Sequence, residues 1–138
     1  MFTNALITKD MFNKNLKPQT LISSLWIFVL FNMILRDLHE FPTEGYIEEM
    51  MGLHLSEESM LFFAFIVEIP ILMVILPRLL KDKANKWLNV VAVTLSSLGI
   101  LYTLPGGHLD EYFFAAMNLG AFYLIIRTAW RLPVPDQA

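Results

Sequence analysis

"LFFAFIVEIPILMVILP", residues 61–77, is apolar for its whole length except at Glu68. A run of that length with one ionisable group does not belong to a surface helix of a soluble domain, which alternates an apolar stripe with a polar face. It belongs to a helix that crosses a bilayer, which needs about 20 mostly apolar residues. The rest of the chain agrees. Of 138 residues 56% are hydrophobic and only 17% charged, against about 25% charged in soluble domains.

Four segments have the length and composition to span. They cover residues 18–36, 59–77, 87–104 and 110–130. Pro18 suits a first helical turn. Ser56 or Ser59 can cap the second segment, and Glu57 and Glu58 favour the positive end of its dipole. Pro105, Gly106 and Gly107 stop the third. Asp110 is the expected N-cap of the fourth, which Pro133 and Pro135 end. The fold class expected is therefore all-α: a polytopic membrane protein, a single membrane domain built as a four-transmembrane-helix bundle. The N-terminal residues carry no early apolar core and no small-x-small cleavage site, so the first helix is expected to stay in the mature protein.

Charge gives the direction. Lys9, Lys14, Lys17, Arg78, Lys81, Lys83, Lys86, Arg127 and Arg131 fall on one side, and Arg36 alone falls on the other. The opposite loops hold Asp37, Glu40, Glu44, Glu48, Glu49, Glu57, Glu58, Asp110 and Glu111. The positive-inside rule puts both termini in the cytoplasm. Trp87 and Trp130 mark the inner interface, Tyr102 and Tyr112 the outer one. In the long outer loop, residues 41–55, Tyr46, Ile47, Met50 and Met51 share a helical face. With Thr43 as cap and Gly52 as stop, this predicts a short amphipathic helix on the outer surface or over the bundle.

Glu68 is the central question. It lies about nine residues into its span, or about 13 Å deep at 1.5 Å per residue. A charge at the bilayer centre costs about 2.5–3.5 kcal/mol on insertion scales, so Glu68 is expected to face the bundle interior. Pro70 cannot donate a backbone bond and frees the carbonyl of Ile66 at the same depth. Asn32 and Arg36 share a face of the first span, and Asn118 lies two turns below the outer end of the fourth. Glu68, Arg36, Asn32 and Asn118 are thus the expected ligand-binding set, in a polar pocket open to the outer side. The alternatives are that these groups only stitch helices together, with Glu68 and Arg36 as a buried pair, or that Glu68 makes an oligomer contact. Thr94, Ser96 and Ser97 are read as packing hydrogen-bonders.

Several chemistries are excluded or disfavoured. No cysteine is present, which removes thiol catalysis, disulfides and thiol-to-quinone electron transfer. His39, His54 and His108 lie near outer carboxylates but in no HExxH or ExxH pattern, and none sits at haem depth, so no metal and no cofactor are expected. Hydrolase, phosphate-loop and dinucleotide motifs are absent. No basic stripe interleaved with aromatics points to nucleic acid.

Three stretches carry a resemblance: "LWIFVLFNMILRDLHEF", "VEIPILMVILPRLLKDKANKW" and "DEYFFAAMNLGAFYLIIRTAW". Together they resemble a family of small bacterial four-helix integral membrane proteins classed as a domain of unknown function, over about residues 18–131. The resemblance implies a four-helix fold and the bacterial inner membrane. It implies no activity. Small multidrug exporters also have four spans and one membrane glutamate, but theirs is in the first span, and the charge bias here opposes insertion in both directions.

The favoured function is the binding or transport of a small polar or cationic solute, or a lipid head group, around Glu68. One alternative is a structural or accessory subunit, as a homo-oligomer or with a membrane partner, using the small surfaces of Gly99, Ala115, Ala116, Gly120 and Ala121. The other is a membrane enzyme using Glu68 as acid/base on a lipid-like substrate. The expected partners are the lipid bilayer and a small-molecule or lipid ligand.

Overall fold

The computed structural model describes residues 16–105 and 107–132. Lys9, Lys14, Gly106, Pro133 and Pro135, used above, lie outside them. The described residues form five α-helices and no strand: α1 (Pro18–Glu40), α2 (Tyr46–Gly52), α3 (Glu57–Leu79), α4 (Asp82–Thr103) and α5 (Leu109–Trp130). Three of them, α1, α3 and α5, are long and apolar enough to cross a membrane. The fourth long helix, α4, misses that criterion because its polar residues, Asn85, Asn89 and Ser96 among them, dilute the apolar ones. Those three polar residues are buried inside the protein.

The helix ends follow local chemistry, with corrections. Pro18 opens α1 as expected. The apolar run of α1 ends at Leu35, yet the helix continues over Arg36–Glu40 and carries those charged residues one turn beyond it. Ser56 caps α3, its Oγ accepting the Ser59 N–H at 3.2 Å. Asp110 does not cap α5; the N-cap is His108, which makes no side-chain cap bond, and Asp110 sits in the first turn. Nor does Thr43 cap α2. Gly45 takes that place in the left-handed region at φ 84°, a conformation glycine adopts without steric cost. Most of the Trp87 linker is helical too. α4 begins at Asp82, leaving a turn of two residues after α3.

Each long helix touches two others along its length. α1 packs on α3 and α5, and α4 packs on the same two from the far side. The core runs down the middle from Ile22, Trp26 and Val29 through Met73, Ala92, Phe122 and Ile125. The Trp26 and Phe122 rings meet at 5.7 Å. Ala92, Ala115, Ala121 and Ala129 are buried at these contacts, and small residues let helix backbones approach closely. Gly99 and Gly120 do not serve that purpose: a Cβ added to either would meet nothing within 4 Å. Ala116 is exposed as well.

The basic residues gather at the end where α1 begins, α3 hands over to α4, and α5 finishes. There Trp87 and Trp130 meet edge to face at 6.3 Å, with the Lys86 ammonium 4.2 Å from the Trp130 ring centre. α2 lies at the opposite, acidic end. It forms as predicted, but none of its residues is buried.

Candidate functional site

The four expected ligand-binding residues do not converge. Asn32 and Asn118 do come together at the contact of α1 with α5. Asn32 is buried and its Nδ2 donates to the Phe114 carbonyl at 2.9 Å. That carbonyl also stands one turn before Asn118, so the two asparagines meet the same turn of α5. Asn118 is 2% exposed, and its Oδ1 has no hydrogen-bond partner among the described residues. Arg36, one turn above Asn32, is half-buried and turns to its neighbour Asp37 at 3.1 Å.

Glu68 stands apart from all three. It is exposed on α3 and makes no side-chain hydrogen bond or ion pair among the described residues. The reason is rotation. The buried residues of α3 are Pro70, Met73 and Pro77. At about 100° per residue Glu68 sits about 200° from Pro70, on the far side of the helix. The expected inward-facing Glu68, paired with Arg36, is not what the fold provides.

A second polar system lies at the basic end, where the sequence reading saw only a loop. The Trp26 indole N–H donates to Asn89 Oδ1 at 2.8 Å. Asn89 Nδ2 donates to Asn85 Oδ1 at 2.7 Å and to the Asn85 carbonyl at 2.8 Å. Asn85 Nδ2 in turn donates to the Pro77 carbonyl at 2.8 Å, one of those α3 leaves unpaired at its end. Alongside, Ser23 donates to the Val74 carbonyl and accepts from Arg78 Nε at 3.1 Å. Gln19 reaches Asp82 at 3.0 Å. The Asn85, Asn89 spacing of four was the signal: one face of a helix, with two polar side chains side by side. Asn85 and Asn89 are wholly buried within this network, while Arg78, bonded through its Nε alone, is exposed at its edge. Thr94, by contrast, bonds only its own helix, to the Val90 carbonyl at 2.8 Å.

The acidic end holds a concave site. A cavity of about 340 Å³ is lined by Glu40, Thr43, Glu44, Tyr46, Glu49, Met50, Leu53, His108 and Glu111. That volume lies at the lower end of the range for small-ligand pockets. No lysine or arginine lines it. Glu40 is the last residue of α1, past the apolar run, and Glu111 comes from the first turn of α5. The Glu111 carboxylate lies against Gly107, where a Cβ would overlap it. The Glu40 carboxyl is held above its ordinary range, first by burial, then by the hydrogen bond and the repulsion from Glu111, with Arg36 opposing. Tyr46 is raised for similar reasons, burial first and the charges of Glu40 and Asp37 next. Beside the cavity His39 Nε2 lies 3.5 Å from Asp110 Oδ2. Among the described residues no three histidine or carboxylate side chains converge as a metal site would need.

This arrangement can hold a positive charge. The Glu40 and Glu111 carboxyl groups stand together, and Glu44 and Glu49 line the same cavity. A cation held among them relieves their mutual repulsion.

The family model described as "Family of unknown function (DUF6326)" matches residues 9–133. No curated protein and no solved structure matches the chain.

Proposed function

We infer a function from geometry, because the chain belongs to this family and the family's function is unknown. The protein is a four-span membrane protein of the bacterial inner membrane, with α1, α3, α4 and α5 crossing and both termini in the cytoplasm. It binds a small polar solute carrying positive charge from the outer side. The topology is supported by the charge bias and by the side-by-side packing of α4 with two of the three helices apolar enough to span, α3 and α5. At 22 residues α4 is about 33 Å long.

The observation that carries the binding reading is the acidic cavity between the ends of α1, α2 and α5. Its four carboxylates and absence of cationic lining select a cation, and its size selects a small one. Asn32 and Asn118 lie on the faces of α1 and α5 that lead inward from Glu40 and Glu111. The unpartnered Asn118 Oδ1 is about 10 Å below the cavity floor at 1.5 Å per residue. Glu68 holds no solute in this reading. The enzyme alternative has little support, since no second polar group accompanies Glu68. The accessory-subunit alternative is favoured by the exposure of Glu68, developed below.

The test uses full-length protein in nanodiscs, titrated calorimetrically with tetramethylammonium, putrescine and sodium at pH 7 and pH 5. Saturable binding is expected for at least one of them, weaker at pH 5 because protons compete for the same oxygens. Glu40→Gln and Glu111→Gln should each weaken it about tenfold or more, as loss of a charge-assisted contact does. Glu68→Gln should leave it unchanged. Absence of binding by all three cations, or equal binding by the two cavity variants, sinks the reading. For topology, Met51→Cys should react with an impermeant thiol reagent on intact cells, and Lys83→Cys only after permeabilisation. The reverse pattern would invert the assignment.

A further inference from the structure

The exposed face of α3 carries a second pattern that solute binding does not use. Leu61, Phe65, Glu68, Leu72, Ile75 and Leu79 are all exposed. Their spacings alternate four, three, four, three, four. This is the spacing of a helix–helix seam with a 3.5-residue repeat, sustained over residues 61–79. It lies on the side of α3 opposite the buried Pro70, Met73 and Pro77. Among the described residues no helix covers it. Lipid could cover the apolar members as well as protein could. It cannot supply hydrogen bonds to a carboxyl group near mid-membrane depth.

We propose that a second copy of this chain packs on this face, so that two α3 helices run parallel and in register with their Glu68 carboxyl groups in contact. A two-fold interface sets each residue against itself. When every copy inserts the same way, the two Glu68 groups arrive at one depth without any further requirement. A carboxylic acid donates and accepts at once, so a pair sharing protons is self-complementary. A different partner would need a matching polar group at that depth. Among the described residues no basic side chain lies near it: Arg36 is at the acidic end and the others are at the basic end. A single polar residue in an otherwise apolar seam is also the device that fixes register and partner number in coiled coils. The uniform insertion is the one element taken from the topology proposed above, and the thiol-labelling pattern reads it separately. The solute cavity is independent of this face.

The chain is free of cysteine, so single introduced cysteines report cleanly. In native membranes expressing the full chain, oxidative cross-linking is measured for Leu61→Cys, Phe65→Cys, Leu72→Cys and Ile75→Cys. Phe62→Cys and Val67→Cys serve as controls; both are exposed but lie about 100° to either side of the seam. Dimer yields at least five-fold higher at the seam positions are expected. Adding Glu68→Leu to Leu72→Cys should lower the yield several-fold, while Glu68→Gln, which also donates and accepts, should preserve it. Equal yields at seam and control positions, or no cross-link anywhere, overturn the proposal and leave the face to lipid or to another protein. A yield indifferent to Glu68→Leu overturns it as well.

Discussion

Glu40 and Glu68 are both carboxyl groups on helices that were read as spans, and the fold treats them oppositely. Glu40 sits at a helix end, beside another carboxyl group, and takes up its proton more readily than a free side chain does. The consequence for stability has a definite sign. Its folded-state value lies above the ordinary 4.5, so its contribution is fully present below that pH and is lost as pH rises through the raised value. The thermal midpoint of the purified protein in detergent should therefore fall as pH is raised from about 4.5 toward neutrality. Glu111→Gln should flatten that slope without abolishing it, since burial, the largest cause, remains. A slope unchanged in Glu111→Gln would mean that the two side chains do not interact. Glu68 has no neighbour of this kind among the described residues. Its place in the middle of a long apolar helix was legible from the sequence; the direction it faces was not.

That difference arises at the level of the helix. α3 is apolar almost all round, so no polar face marks which side is buried. Two prolines and a methionine settle it, because Pro70, Met73 and Pro77 are what α1 and α4 pack against. α4 presents the converse case. Its first turns look like a charged linker, yet Asn85 and Asn89 turn inward and Lys83 outward, which makes "DKANKW" an amphipathic helix start. The two asparagines also tie α4 to its neighbours. Asn89→Leu should leave the Trp26 indole N–H and the Asn85 Oδ1 each without a partner. A loss of about 1–3 kcal/mol is expected from stranding such groups, with membrane double-mutant averages nearer 0.6. Asn118→Leu, which strands nothing because its Oδ1 is already unpartnered, should cost less than Asn89→Leu. Equilibrium unfolding of both variants in mixed micelles checks the order, and a reversed order would contradict the hydrogen-bond assignments.

Over the whole molecule, the number and order of the long helices were legible because Pro18, Ser56 and the Pro105 breaker bound apolar runs of the right length. The acidic cavity was only partly legible. Glu40 and Glu111 were visible as outer charges, but residues 71 apart in sequence meet only once α1 and α5 pack. The two ends of the fold then differ in kind. At the basic end α1, α3 and α4 are laced by the chain of bonds through Ser23, Trp26, Asn85 and Asn89. At the acidic end like charges crowd together, and α2 has no buried residue. On the proposed reading, a vessel seamed at its base and crowded with like charge at its lip would fill and empty through the lip alone. Its occupancy would then follow the concentration on that side and carry nothing across, as a gauge does and a pump does not.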